Sequence, residues 1–225
     1  MKLFNHVGLD PIEMSAEMVD GKRVYLTPEG FKFPSVTTVI SNNKEKMAGI
    51  ARWRERVGEE KANNISSRST NRGTKYHSIV EDYLNNKLDL KNYRKFPLPV
   101  LMFQHSRETL DRINNIYLQE AALYSRHLEL AGRVDCIAEF DGELSIIDFK
   151  TSSRQKSEDK IQNYFMQCAA YAVMFEERTG IPVPRIAIVI TVDSDHPQVF
   201  VKKRNDYIGM FKTYLEMFDN QSVFS

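Results

Sequence analysis

From Gly132 to Phe149 the chain is rich in Val, Ile and Phe and is broken by one turn signal, Asp141-Gly142. A two-residue Asp-Gly connection between such segments selects a hairpin whose turn matches the twist of paired strands. The turn also fixes the register: Phe140 faces Glu143 and, counting outward, Asp135 faces Asp148. Directly opposed residues share a face with Cβ atoms about 5 Å apart, and Lys150, two residues beyond Asp148, joins that face. Two carboxylates and an ammonium are therefore expected at one end of an otherwise apolar hairpin, where unpaired charge is expensive to bury.

The flanking sequence supplies the layers that would cover such a hairpin. Residues 1–43 carry turn signals at Asp20-Gly21 and Pro28-Glu29-Gly30 and end in the β-branched stretch Ser35 to Ile40, which reads as short hairpin strands leading into a helix. Helical spacing is predicted over 73–88, with Tyr76, Ile79, Val80, Tyr83 and Leu84 on one side, and again over 100–124, the two separated by Pro97 and Pro99. A helix over 161–177, stopped by Gly180 and Pro182, and another over 205–218 enclose the almost wholly apolar 184–192, a strand suited to burial on both faces. This order predicts an α/β fold with a central mixed β-sheet flanked by helices. At 225 residues and 26.1 kDa the chain is read as one domain, 1–225.

Global charge identifies no partner, since 31 Lys and Arg stand against 30 Asp and Glu. Locally, Lys44 to Lys75 holds nine basic and four acidic residues, making it the first candidate surface for a polyanion. The longest apolar runs, Cys168 to Phe175 and Ile186 to Val192, fall far short of the roughly 20 residues of a membrane helix. Asp10, Glu13, Glu17 and Asp20 make the start unlike a secretory or transit peptide. Cys136 and Cys168 are too few for a disulfide framework, a four-Cys zinc site or an iron-sulfur cluster, and are expected to be reduced core residues in the cytoplasm.

The three charges of the hairpin need compensation. A hard cation such as Mg²⁺ would meet it, accepting carboxylate oxygens while keeping water and phosphate in its shell. The competing reading leaves Asp135 and Asp148 in plain salt bridges with Lys150 and Arg133 at a sheet edge, and a bulge would shift the register on which both depend.

Gly132-Arg133-Val134-Asp135, followed by Ile147-Asp148-Phe149-Lys150-Thr151-Ser152, resembles the core of the PD-(D/E)xK nucleases. Arg72-Gly73-Thr74-x-x-His77 upstream and Gln167-x-x-x-Tyr171 downstream are similar to the marks of the RecB-like exonuclease group, with phage members sharing Leu123-Tyr124-Ser125 and Ala131-Gly132. The resemblance covers about residues 33–215 and leaves 1–32 as an N-terminal extension. It implies a restriction-endonuclease-like core and metal-dependent cleavage of DNA, usually of single strands from an end, with Asp135, Asp148 and Lys150 as the catalytic centre. It further implies His77 as a metal ligand, Gln167 and Tyr171 beside the metal, and a supporting carboxylate at Glu120. Mg²⁺ is the implied cofactor, and Mn²⁺ is expected to substitute because an imidazole suits it. Glu81 lies four residues from His77 on the same helix face.

Several residues are candidates for DNA contact. Ser35, Thr37 and Thr38 could bind phosphate through hydroxyls and amides, or be ordinary strand residues. Arg52, Arg54, Arg68, Arg72 and Lys75 are candidates to follow the backbone, with Trp53 as a stacking platform, against the alternatives of solvated charge and core packing. Two other functions stay open: a structure-specific endonuclease using the same centre, and a catalytically idle DNA-binding module, which would need the loss of a core residue. None is lost. A compact enzyme of this kind would suit a bacteriophage acting in its host's cytoplasm.

Overall fold

A computed structural model describes residues 2–193 and 195–222. Five strands form the central sheet in the order β4 (Ile113–Ser125), β5 (Leu130–Phe140), β6 (Glu143–Ser152), β7 (Arg185–Val192), β8 (Gln198–Lys203). Only β6 and β7 run parallel, so the sheet is mixed, as expected of the sequence. The β5–β6 turn has positive φ at both Asp141 (55°) and Gly142 (79°), the hairpin geometry that Asp-Gly favours.

Alternation along the strands builds two cores. Ile137, Ile146, Ile186, Ile188 and Ile190 face α5 (Gln162–Thr179), α6 (Asn205–Ser222) and the short α1 (Val36–Ser41). Cys136, Ala138, Ile147, Phe149, Ala187 and Val189 face α3 (Glu59–Leu84) and α4 (Pro97–Leu110). Fully buried rings such as Phe165, Phe175 and Phe211 contribute about 1.5–3 kcal/mol each to the first core. Strand β7 is buried on both faces from Ile186 to Val192, which explains its unbroken apolar sequence. Both cysteines are free and buried. Among the described residues no helix is long and apolar enough to cross a membrane.

The predicted helix over 100–124 forms only as far as Leu110. The helix α4 ends at Leu110 and residues from Ile113 onward form β4. The cause lies in two irregularities: Asn115 and Glu120 have positive φ (45° and 44°), and the β4–β5 register shifts between Asn114 and Leu118. Irregular pairing places Ile113 and Ile116 both in the core, an i, i+3 spacing that mimics a helix. Likewise the β-branched Val36–Ser41 is helix α1, because Ser35 caps it by accepting from Thr38 N at 3.0 Å. The helix predicted over 73–88 is the C-terminal part of the longer α3, whose residues 63–70 are all exposed.

The first thirty residues also join the fold. Strands β1 (Ser15–Val19), β2 (Lys22–Leu26) and β3 (Lys32–Pro34) form a small antiparallel sheet whose Tyr25 and Phe33 pack on Ala131 of β5. Before it, Phe4 is buried against Tyr83, and its backbone N–H and C=O are both bonded by Asn86, at 2.9 and 3.0 Å.

Candidate active site

The β5–β6 ladder keeps the predicted register from Phe140↔Glu143 to Cys136↔Ile147. One step further, at Asp135 and Asp148, regular pairing stops. There the Asp135 side chain replaces the ladder: its Oδ2 accepts the Phe149 backbone N–H at 2.8 Å. Asp148 and Lys150 follow the parity of Ile146 and so lie on the α5 side of the sheet, whereas Asp135 stands where alternation in β5 breaks, since Val134 and Ile137 pack in the same core.

Across β5 from Asp135 stands Glu120. The pairs Gln119↔Cys136 and Ala121↔Val134 flank it, while its own backbone is left-handed at φ 44°. A non-glycine residue held there in mid-strand is strained, a feature that concentrates at functional sites. From the other side of the sheet comes His77 of α3. Its Nε2 lies 2.8 Å from the Phe149 carbonyl oxygen. A carbonyl only accepts, so Nε2 carries the proton and Nδ1 turns toward Glu120 Oε1 (3.4 Å) and Asp135 Oδ2 (3.8 Å). Ligand atoms of His77, Glu120 and Asp135 all lie within 4.8 Å of one another. Burial alone would lower the His77 pKa, but the Glu120 hydrogen bond and the Asp135 charge outweigh it and bring it up to about 9. Glu81 borders the same opening, a cleft of about 350 Å³ that Gly73 and Thr74 also line; burial and then the charges of Glu120 and Asp82 push its carboxyl up.

Asp148 is only 2% exposed and does not belong to that three-residue group. Lys150 Nζ lies 2.5 Å from its Oδ2, so the two form a buried ion pair. Burial pushes the Asp148 carboxyl above the usual range, against the opposing effect of the Lys150 charge. Burial would also lower Lys150, yet Asp148 and Asp135 together hold it protonated. An imidazole nitrogen and two converging carboxylates, with the buried Asp148–Lys150 pair beside them, are a donor set that fits a hard divalent cation. Of the plain salt bridges considered from sequence, Asp148 pairs with Lys150 while Arg133 reaches Glu120 (4.0 Å) instead of Asp135.

Helix α5 closes the site from one side. Gln167 Nε2 donates to Tyr171 Oη at 3.4 Å, and the Tyr171 ring lies directly on Gly132, where a Cβ would come within 2.7 Å of it. Three residues before Gln167, the Tyr164 ring sits 5.1 Å from Lys150 Nζ. Tyr164 was not anticipated, although its spacing from Gln167 and Tyr171 places it on their helix face. The Phe149 carbonyl that orients His77 leaves no trace in the sequence, since every residue has one.

The DNA-contact candidates divide. Ser35 is 2% exposed and bonds the Thr37 and Thr38 hydroxyls at 2.9 and 2.7 Å, so its hydroxyl serves the helix cap; Thr37 is exposed and Thr38 half-buried. Arg72 is tied by both oxygens of Asp193, at 2.9 and 3.0 Å, and Lys75 lies over the Phe96 ring. Arg54 pairs with Glu59. Arg52 and Arg68 are exposed, and Trp53 is half-buried outside the core clusters on α2 (Lys44–Val57).

Residues 94–206 match the PD-(D/E)XK nuclease superfamily. Mitochondrial genome maintenance exonuclease 1 of Homo sapiens is 29% identical over 129 residues, covering 55% of this chain and 38% of the human protein. Its Xenopus tropicalis counterpart is 28% identical over 146 residues, covering 61% of this chain and 42% of that protein. The chain thus matches well under half the length of these relatives. A solved candidate exonuclease from Eubacterium rectale superposes with a TM-score of 0.46 at 12% identity, covering 67% of this chain and 65% of its own.

Proposed function

The chain belongs to the PD-(D/E)XK nuclease superfamily, and from that premise we propose that it is a metal-dependent DNA exonuclease acting preferentially on single-stranded ends. One observation carries the proposal: His77, Glu120 and Asp135 come from three different elements to set their ligand atoms within 4.8 Å of one another beside the buried Asp148–Lys150 pair. The exonuclease names of the vertebrate relatives support strand-end specificity.

His77, Glu120, Asp135 and Asp148 would hold Mg²⁺, or Mn²⁺ in its place. When bound, the ion supplies Lewis-acid polarisation of the phosphate and acidifies a water. The protein's own groups do the rest. Phe149 fixes the imidazole orientation of His77, Asp135 is anchored by the Phe149 N–H, and both are therefore preorganised. Lys150, held cationic by Asp148 and Asp135, stabilises the charge that grows on the phosphoryl oxygens and orients the attacking water. Gln167 and Tyr171 pack beside Gly132 and position the scissile strand. The exposed arginines Arg52 and Arg68, with Thr37, Thr38 and Trp53, are the outlying candidates for strand contact; Arg72 and Lys75 join them only if their present partners release them.

The test is incubation with end-labelled single-stranded, duplex and circular single-stranded DNA, with Mg²⁺ and with chelator. Mononucleotides or short products from linear single strands only, and only with metal, are expected. Cutting of the circle would convert the proposal to an endonuclease, and metal-independent or absent cleavage would overturn it.

A further inference from the structure

We infer that a second pocket, bordered by the Tyr164 ring that also lies against Lys150, receives one nucleotide of the substrate strand near the scissile phosphate. This rests on the nuclease proposal above. The pocket lies where the α1–α2 junction, the start of α5 and α6 meet, and encloses about 380 Å³. That is nucleotide scale, toward the lower end of the roughly 300–1,000 Å³ of small-molecule sites.

Its chemistry is that of a single-strand subsite. Two ammonium groups, Lys46 and Lys160, stand against one carboxylate, Asp159. Both lysines are exposed and, among the described residues, neither is in an ion pair, so both are available to phosphate. Two phenol rings, Tyr164 and Tyr214, also line the pocket. Aromatic faces of this kind stack any base, which suits an enzyme that must advance along a strand of arbitrary sequence. The Tyr214 ring is held in place: its Oη accepts from Asn43 Nδ2 at 3.0 Å, while Asn43 Oδ1 caps α2 through Lys46 N at 2.9 Å.

Tyr164 links the pocket to the chemistry. One part of its surface lines the pocket, and Lys150 Nζ lies 5.1 Å from the ring centroid. Because the same ring borders both Lys150 and the pocket, a base seated there belongs to a nucleotide near the phosphate at Lys150.

The experiment is a cycle between pocket and base. KM and kcat are measured with Mg²⁺ for the wild type, Tyr214→Leu and Lys160→Ala, on an intact oligonucleotide and on strands carrying one abasic site at each of the first three positions from the cleaved end. Tyr214→Leu is expected to raise KM about ten-fold on the intact strand, with kcat nearly unchanged, and to cause no further loss on the strand whose missing base would have filled the pocket. Lys160→Ala, at an exposed position that does not endanger folding, is expected to reduce the salt dependence of log KM by about one unit of slope. A KM loss equal on intact and on every abasic strand, or an unchanged KM and salt slope, would overturn the pocket while wild-type cleavage keeps the nuclease proposal standing. Absence of metal-dependent cleavage by the wild type would overturn the nuclease proposal itself.

Discussion

At Asp135 the backbone and the chemistry share one carboxylate. Its Oδ2 accepts the Phe149 N–H where the ladder ends, and the same side chain faces His77. Asparagine retains an oxygen able to take that hydrogen bond but not the charge. Asp135→Asn is therefore expected to keep its thermal midpoint within a few degrees while cleavage falls at least about 100-fold, the loss of several kcal/mol of charge stabilisation at the metal. Cleavage near the wild-type rate would remove Asp135 from the site. Gly132 makes the opposite case, a residue that matters for what it lacks. An alanine Cβ there would sit 2.7 Å from Tyr171 Cε1 and 2.8 Å from its Oη. Gly132→Ala should cost about 1–3 kcal/mol in denaturant unfolding by overpacking. It should also slow cleavage by displacing Tyr171; unchanged stability would mean the ring is free to move aside.

Among the elements, β4 joins strain and function. Glu120 occupies left-handed backbone directly across from Asp135. A glycine there is unstrained, whereas alanine keeps the steric cost of about 1–2 kcal/mol without the carboxylate. In metal-free buffer Glu120→Gly should thus be more stable than Glu120→Ala by about 1 kcal/mol, with both impaired in cleavage. Equal stability of the two variants would show that the backbone relaxes and that no strain is stored. The same element marks the limit of what the sequence discloses. The β5–β6 hairpin was legible from Phe140↔Glu143 to Cys136↔Ile147 because its turn chemistry is local. Strand β4 was not, since bulges impose helix-like spacing and only pairing with β5 decides between the two. The site follows the same division. Asp135, Asp148 and Lys150 were singled out by counting from the turn, although the ladder ends one pair short of Asp135 and Asp148, and His77, Glu120, Gln167 and Tyr171 entered by resemblance. By contrast, the left-handed backbone of Glu120 has no local signature, and the small N-terminal sheet is held by contacts with β4 and β5 far along the chain.

For the molecule as a whole, the site is a junction between its two cores. Asp148 and Lys150 belong to the face packed by α5, while His77 arrives on α3 from the opposite layer and meets Asp135 where β5 and β6 part. Without a cation, the converging carboxylates Glu120, Asp135 and Asp148 repel one another, offset by the His77 proton and the Lys150 ammonium. A divalent ion that binds the folded chain and not the unfolded one must stabilise it by mass action, by about 2.7 kcal/mol when free ion reaches 100 times its dissociation constant. For a chain of this length that corresponds to a rise in melting temperature of roughly 5–10 °C. Mg²⁺ and Mn²⁺ should produce this rise in the wild type, monovalent salt at equal ionic strength should not, and Asp135→Asn should lose most of it. Because melting is read without DNA, the result separates ion binding from catalysis. An equal rise in the wild type and in Asp135→Asn would mean that the ion stabilises the fold somewhere other than between its two layers.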